Sequence, residues 1–117
     1  MKANIINRTA LTIIPKQPFI DWANSLDDGP KLKVNDPNYE PTVYLVDEVS
    51  SDTALNRIIR QHYSQIFENE LAGWHLIIED WPQKRDSRTF RKWFEVIVST
   101  VVLDLSQRYI NLEDYEV

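Results

Sequence analysis

The sequence has no cysteine, only two glycines and two histidines, and a single methionine among its 117 residues. The absence of cysteine excludes a disulfide scaffold, thiol catalysis and a cysteine-based zinc site, and it is compatible with a reducing compartment. The two glycines, Gly29 and Gly73, cannot build a glycine-rich phosphate loop, so a P-loop nucleotide hydrolase is excluded. Most of the compact motifs by which enzymes are recognised are therefore missing.

Long hydrophobic runs are also missing. The longest apolar stretches, residues 10–15 and 96–103, are much shorter than the roughly 20 residues that a membrane-spanning helix needs. Near the N-terminus, Asn7, Arg8 and Thr9 interrupt the apolar segment that a signal peptide requires. We therefore expect a cytoplasmic protein without a membrane partner.

The composition that remains is typical of a globular protein. Hydrophobic residues make up 43% and charged residues 26% of the chain, with four Trp, five Tyr and four Phe side chains. A chain of this length can bury one hydrophobic core without help from a metal or a disulfide. We expect a single domain over residues 1–117, with no cofactor and no metal.

Charge is unevenly distributed along the chain. Eighteen Asp and Glu residues against thirteen Lys and Arg residues give a net charge of −5. Residues 83–92 hold five of the cations and one acid, Asp86, so this segment is basic and the rest of the chain is strongly acidic. An acidic protein repels nucleic acid at long range, but screening limits this repulsion to roughly 10 Å and leaves a local basic surface available.

The N-terminal quarter predicts a strand followed by a helix. Residues 4–14 are rich in β-branched side chains and are typical of a strand, which Pro15 ends. The apolar face of a helix follows at the spacing i, i+3, i+4 and i+7, in Phe19, Trp22, Ala23 and Leu26. Gly29 is expected just beyond the end of this helix.

The middle of the chain predicts a hairpin and a long helix. Residues 31–34 alternate like a short edge strand, and residues 42–49 form the clearest strand, so the two are expected to pair. Ser51 or Asp52 caps a helix that runs to about residue 72 and stops at Gly73. Residues 75–80 fit either a short helix or a strand.

The C-terminal third predicts a helix and then a strand. With Asp86 or Ser87 as the cap, one helical face would carry Phe90, Trp93, Phe94 and Ile97. The β-branched run that follows predicts a strand from about residue 96 to 105, central in the sheet because both its faces are apolar. The predicted class is α+β: a small mixed or mostly antiparallel sheet of three or four strands with helices packed against it.

One string resembles a stretch found in small, uncharacterised bacterial proteins. It consists of Trp81-Pro82-x-x-Arg85, then Phe90-x-x-Trp93-Phe94, then Val102-x-Asp104-Leu105, and it covers about a quarter of the chain. The resemblance implies a bacterial, single-domain protein. It implies no activity and assigns no site residue.

The basic segment is the strongest candidate for a binding site. Cations crowded at the positive N-terminal end of a helix are unfavourable unless an anion neutralises them. This anion could be an external ligand or partner, or equally an internal acid such as Glu79 or Asp80. Charged residues also form the solvated outer face of any amphipathic helix, and the sequence leaves this alternative open. The candidate anion-binding or partner-binding residues are Trp81, Lys84, Arg85, Arg88, Arg91 and Lys92.

Metal and catalytic sites receive little support from the sequence. His62 and His75 lie thirteen residues apart and fit no zinc-binding spacing. Asp47 and Asp104 fall at predicted strand ends and could form the acid–base pair of a small hydrolase if their strands were neighbours. Strand ends are also where charged side chains meet solvent, so we expect no catalytic residue.

The function that these observations favour is a non-catalytic cytosolic protein-interaction module, such as an adaptor, an immunity-type inhibitor or a regulatory subunit. Its partner is expected to be another protein, and homo-oligomerisation is left open. One alternative is binding of nucleic acid or a phosphorylated ligand through the basic segment, residues 84–92. The other is a small hydrolase that uses Asp47 and Asp104.

Overall fold

A computed structural model describes residues 2–116 and shows three α-helices with two antiparallel sheets, which confirms the predicted α+β class. The strands are β1 Asn4–Ile5, β2 Thr9–Pro15, β3 Thr42–Val46, β4 Phe94–Ser99 and β5 Leu103–Asp104. The helices are α1 Gln17–Ser25, α2 Asp52–Trp74 and α3 Ser87–Trp93, and a short 3-10 helix spans Ile78–Asp80.

The main sheet has three strands in the order β3-β2-β4, and both pairings are antiparallel. In the centre of the sheet, Leu11 of β2 lies between Tyr44 of β3 and Val98 of β4. The predicted central position of the C-terminal strand is wrong, because β4 lies at an edge and β2 is central. β4 has apolar side chains on both faces although only one strand, β2, lies beside it, so this composition does not indicate a central strand.

The first predicted strand is broken by a bulge. Ile5 pairs with Leu103 and Ala10 pairs with Ser99, so five residue steps on one strand oppose four on the other. One extra residue in one strand bends the ladder, and the β1–β5 pair continues beyond it as a separate two-stranded sheet. We call β1 and β5 the arm. The described part of the chain is elongated, with extents of 48 × 31 × 27 Å.

The predicted hairpin between residues 31–34 and β3 is wrong. Residues 31–34 form no strand, because the Asn24 side chain of α1 hydrogen-bonds both the N–H and the carbonyl group of Leu32. The Leu32 N–H donates to Asn24 Oδ1 at 2.8 Å, and Asn24 Nδ2 donates to the Leu32 carbonyl at 2.9 Å. The buried Leu32 side chain reaches the core from a loop, and β3 pairs with β2 instead.

The first two predicted helices are confirmed, although Leu26 of the predicted apolar face lies just beyond the end of α1. In α1, Phe19, Ile20 and Ala23 are buried, and the helix ends at Ser25, four residues before Gly29. In α2, the last helical residue is Trp74, one residue beyond the predicted stop at Gly73. Of the helices within residues 2–116, none has the combination of length and apolarity that crossing a membrane requires.

The segment between α2 and α3 is neither the helix nor the strand that its pattern allowed. Only Ile78–Asp80 forms a turn of 3-10 helix, and Leu76, Ile77 and Ile78 are exposed to solvent. Two indole N–H groups hold the segment in place: Trp81 donates to the His75 carbonyl at 2.8 Å, and Trp22 donates to the Asp80 carbonyl at 2.9 Å. Hydrogen bonds from two tryptophans replace the regular backbone pattern here.

The helix predicted across residues 87–97 is shorter than expected. It ends at Trp93, and the backbone N–H of Phe94, bound to the Phe90 carbonyl, closes its last turn. Phe94 is buried as predicted, although it lies in β4 and not in the helix, and Ile97 is exposed. The β-branched residues from Val96 onward favour the extended backbone, which explains the early end of the helix.

The α2 N-terminus offers a direct test of the cap. The Ser51 hydroxyl accepts a hydrogen bond from the Ala54 N–H at 3.1 Å. Replacing Ser51 with alanine is expected to lower the free energy of unfolding by about 0.5–2 kcal/mol, since one helix N–H loses its partner. Denaturant unfolding measures the loss, and Ser50→Ala at the exposed preceding residue is the control. Equal stabilities of the two variants would contradict the cap.

Candidate functional site

The basic segment is the first candidate, and its N-terminal half lies outside the helix. Because α3 begins at Ser87, Lys84 and Arg85 precede it. Asp86 caps α3 through a hydrogen bond of 2.8 Å from the Thr89 N–H to its Oδ1. The backbone and then the side chain of Thr89 hold the pKa of Asp86 below its ordinary value. The carboxylate of Asp86, a residue of the chain itself, therefore already neutralises the positive N-terminal end of α3.

Arg85 and Trp81 form a pair within the protein. The Arg85 guanidinium lies 5.7 Å from the centroid of the Trp81 ring, and its Nη1 donates to the Pro82 carbonyl at 2.7 Å. Both residues are half-buried, and the indole N–H of Trp81 is already bound. Their contacts are those of residues that fix the conformation of the 75–86 segment.

The remaining cations stay at the surface. Arg88 and Lys92 are exposed and four residues apart on α3, so they share one side of the helix. Arg91 is also exposed and donates from Nη2 to Asn56 Oδ1 at 3.3 Å. Lys84 Nζ lies 3.9 Å from Asp86 Oδ2. The predicted site thus divides into a half-buried pair and a group of surface cations, and its binding role stays a prediction.

The histidines and the aspartates singled out from the sequence are not brought together. His75 Nε2 lies 2.8 Å from Asp80 Oδ2, whereas His62 is half-buried within α2. Asp47 follows β3 in the main sheet, and Asp104 lies in β5 of the arm, where its Oδ1 accepts from the Ser106 N–H. Within residues 2–116, no three potential metal-ligating side chains converge.

A buried carboxyl group is the candidate-site feature that sequence reasoning missed. Glu70 of α2 is only 5% exposed. Its Oε2 accepts a hydrogen bond of 2.5 Å from the Tyr44 hydroxyl, and its Oε1 lies 3.4 Å from the Tyr39 hydroxyl. Asn69 extends this network, because its Nδ2 donates to the Tyr44 oxygen at 2.7 Å and its Oδ1 accepts from Tyr115 at 3.2 Å.

Burial controls the protonation of this network. Removal from water raises the pKa of Glu70, while hydrogen bonds from Tyr44, Thr42 and Tyr39 act in the opposite direction. Burial also raises the pKa of Tyr39 and of Tyr44, and the negative charge of Glu70 adds to both shifts. Both tyrosines therefore remain hydrogen-bond donors at neutral pH.

Glu70 lies at the wall of a cleft of about 410 Å³ between β3 and the C-terminal end of α2, which we call the Glu70 cleft. Its lining residues are Tyr39, Glu40, Thr42, Val43, Tyr44, Asn69, Glu70, Gly73, Trp74 and Tyr115. One sequence signal could have identified it. Glu70 follows Ile66 by four residues and Phe67 by three, so a carboxylate occupies the apolar stripe of α2.

The edge of β4 is a second unusual feature, and we call it the open edge. The Lys16 N–H donates to the Trp93 carbonyl at 2.8 Å, which fixes the alternation of hydrogen bonds between β2 and β4. The backbone groups of Ile97 therefore face β2, whereas those of Val96 and Val98 point away from the sheet. Among residues 2–116, no backbone group pairs with the outward-pointing groups of these two valines.

The sheet also exposes apolar side chains on its outer face. Val43 and Ile97 lie on either side of Thr12, and they are 55% and 44% exposed. Leu45, beside Ala10, is 52% exposed. A sheet usually covers one apolar face and presents polar side chains on the other. Here the face opposite the core is partly apolar as well.

Comparisons of the chain with protein-family models, with curated proteins and with solved structures find no match.

Proposed function

We propose that this protein is a non-catalytic, cytosolic protein-interaction module, an adaptor, inhibitor or regulatory subunit, that binds a partner protein by adding a strand to the open edge of β4. The partner strand supplies the hydrogen bonds that the outward backbone groups of Val96 and Val98 lack. Strand addition to a sheet edge is a common mode of protein recognition, in which backbone hydrogen bonds provide much of the affinity.

The observation that carries this proposal is the amino-acid composition of β4, which is unusual for a strand at the edge of a sheet. An exposed edge strand is usually protected by lysine, proline or a bulge, because it otherwise pairs with other chains. β4, Phe94–Ser99, contains no lysine and no proline, and Glu95 is its single charged residue. The other edge strand, β3, Thr42–Val46, also contains no lysine, proline or charged residue, but Pro41 directly precedes it and Asp47 and Glu48 directly follow it.

A second copy of the chain could also supply the added strand. Antiparallel pairing of two β4 strands about a twofold axis at Ile97 would place Glu95 of each copy opposite Ser99 of the other. No like charges would face each other in this arrangement. Light scattering coupled to size-exclusion chromatography determines whether the partner is this chain or a different protein.

The proposal is tested by removing one outward N–H from the open edge. Proline is tolerated in an edge strand where its missing N–H faces solvent, so Val98→Pro should keep the β2–β4 ladder and abolish strand addition. Val98→Ala is the matched control, because it loses the same packing and keeps the N–H. Val43→Pro makes the equivalent change at the β3 edge.

We expect the partner, identified by affinity purification and mass spectrometry or as a second copy, to be lost with Val98→Pro and retained with both controls. Circular dichroism establishes that each variant folds, and Val96→Pro replaces Val98→Pro if the latter does not. Retention of the partner by a folded proline variant would contradict strand addition at β4.

Binding of nucleic acid or a phosphorylated ligand is the second candidate. Its support is the exposure of Arg88 and Lys92, for which the described part of the chain provides no ion-pair partner. Affinity for nucleic acid that falls steeply as salt rises would favour it. A hydrolase receives no comparable support, because Asp47 follows β3 of the main sheet whereas Asp104 lies in β5 of the arm.

A further inference from the structure

We propose that the Glu70 cleft binds an alkylammonium group, either a free small amine or the lysine side chain of another protein, with the ammonium held between the Glu70 carboxylate and the surrounding aromatic rings. This site is separate from the open edge of β4, so the two proposals succeed or fail independently.

The charge of the cleft selects a cation. Its lining includes two carboxylates, Glu40 and Glu70, and contains no lysine, arginine or histidine. Tyr115, which lies at the cleft, is flanked in the sequence by Asp114 and Glu116. A concave surface lined by charges of one sign attracts the opposite charge, so an anionic ligand is disfavoured here.

The aromatic content of the cleft selects an organic cation over a metal ion. Four aromatic side chains line it: Tyr39, Tyr44, Trp74 and Tyr115. The faces of tyrosine and tryptophan rings attract ammonium groups and also bury the attached methylene or methyl groups. A hard metal ion prefers several oxygen ligands instead, and residues 2–116 bring no three potential metal ligands together. A volume of about 410 Å³ accommodates a small amine or one side chain.

The Glu70 carboxylate can accept a further hydrogen bond. An ionised carboxylate offers about four lone-pair positions, and the donors Tyr44 at 2.5 Å, Tyr39 at 3.4 Å and Thr42 use at most three of them. An ammonium group supplies three donors and a positive charge that compensates the burial of the carboxylate. Buried titratable groups with a shifted pKa in a cleft are frequent at functional sites.

Ammonium binding should be linked to proton release. Burial raises the pKa of Glu70, and a bound cation lowers it by favouring the charged form. Affinity for an ammonium group should therefore rise with pH until Glu70 is ionised in the free protein. The other titratable groups at the cleft are Glu40, Tyr39, Tyr44 and Tyr115, and the half-buried Tyr39 and Tyr44 have pKa values shifted upward, away from neutrality.

The test is a titration of the protein with n-butylammonium chloride at constant ionic strength, followed by the amide resonances of Gly73 and Trp74. We expect saturable shifts and an affinity at least about tenfold weaker in Glu70→Gln, since hydrogen bonds to charged groups contribute about this factor. Glu68→Gln, on the same helix but outside the lining, should bind as the original protein does. Sodium butyrate, the matched anion, should produce no saturable shift.

A second pair of probes identifies the source of the ammonium group. Nα-acetyl-lysine N-methylamide carries the side chain with the backbone of a protein partner. Tighter binding of this probe than of n-butylammonium would assign the cleft to a lysine of another protein, and tighter binding of n-butylammonium would assign it to a free amine.

Two results would overturn the proposal. One is the absence of saturation by either cation at concentrations on the order of 100 mM; the other is equal affinity in the original protein and in folded Glu70→Gln. If Glu70→Gln does not fold, Trp74→Leu serves instead, because Trp74 is 40% exposed and takes no part in the Glu70 hydrogen bonds. Unchanged affinity in Trp74→Leu would then reject the aromatic site.

Discussion

Replacing Phe94 with alanine is expected to lower the free energy of unfolding by about 3–5 kcal/mol, the usual effect of emptying a large aromatic site. Phe94 is 1% exposed, at the junction of α3 and β4. Its ring centroid lies 5.3 Å from that of Phe19 and 5.4 Å from those of Phe67 and Phe90. The substitution therefore leaves three aromatic rings without a shared neighbour.

Denaturant unfolding monitored by circular dichroism measures this loss. The control is Tyr109→Ala, because Tyr109 is 99% exposed and its removal should change stability by no more than about 0.5 kcal/mol. A Phe94→Ala protein as stable as the Tyr109→Ala protein would show that Phe94 does not lie at the centre of the core.

Replacing Tyr44 with phenylalanine is expected to lower stability by about 1–3 kcal/mol at neutral pH, and by less in acid. The substitution keeps the ring and removes the hydroxyl that donates to Glu70 Oε2, so a buried acceptor loses its shortest hydrogen bond. The loss should grow with pH, because an ionised carboxylate depends on the donor more than a protonated one does.

The direction in which stability changes with pH follows from the upward shift of the Glu70 pKa. Because the folded-state pKa of Glu70 is raised above its ordinary value of 4.5, the favourable contribution of protonated Glu70 is fully present below pH 4.5. It is lost as the pH rises through the folded-state pKa. The Tyr44 hydrogen bond lowers this pKa, so Tyr44→Phe raises it further and widens the pH range over which stability is lost.

Unfolding curves at several pH values between about 4 and 8 test this dependence. The same Tyr44→Phe substitution in a Glu70→Gln background is the control, since its effect there should not change with pH over this range. A Tyr44→Phe loss that is equal at all pH values, with or without Glu70, would contradict the assigned hydrogen bond.

Local periodicity in the sequence was sufficient to predict those elements whose buried face and capping residue lie within one short segment of the chain. The apolar spacing around Phe19 and Trp22 and the cap at Ser51 predicted α1 and α2 to within a few residues. The buried face of β2 was also visible as a β-branched run. In these elements, local preference and tertiary packing favour the same conformation.

The features that could not be predicted from the sequence depend on contacts between segments that are distant in the chain. The order of strands depends on contacts between distant segments, so an apolar strand at an edge, as in β4, cannot be told from a central one by composition. A side chain on another element prevented residues 31–34 from becoming a strand. Likewise, Arg85 was counted with the surface cations because its contact with Trp81 depends on a turn without a sequence pattern.

The candidate cleft was missed for a related reason. Tyr39, Tyr44, Glu70 and Tyr115 are dispersed over much of the chain, and no spacing connects them. The one local signal was Glu70 itself, which interrupts the apolar stripe of α2 beside Ile66 and Phe67. A buried acid needs partners, so such an interruption marks a position where other elements must supply hydrogen-bond donors.

The antiparallel pairing of β2 with β4 has a consequence for the newly made chain. Ala10 pairs with Ser99, so the central strand is synthesised 89 residues before its second neighbour. At about 5–20 residues per second, the interval is about 4–18 s. During translation, β2 can pair only with β3, and its other edge remains available to bind chaperones or neighbouring nascent chains until β4 leaves the ribosome.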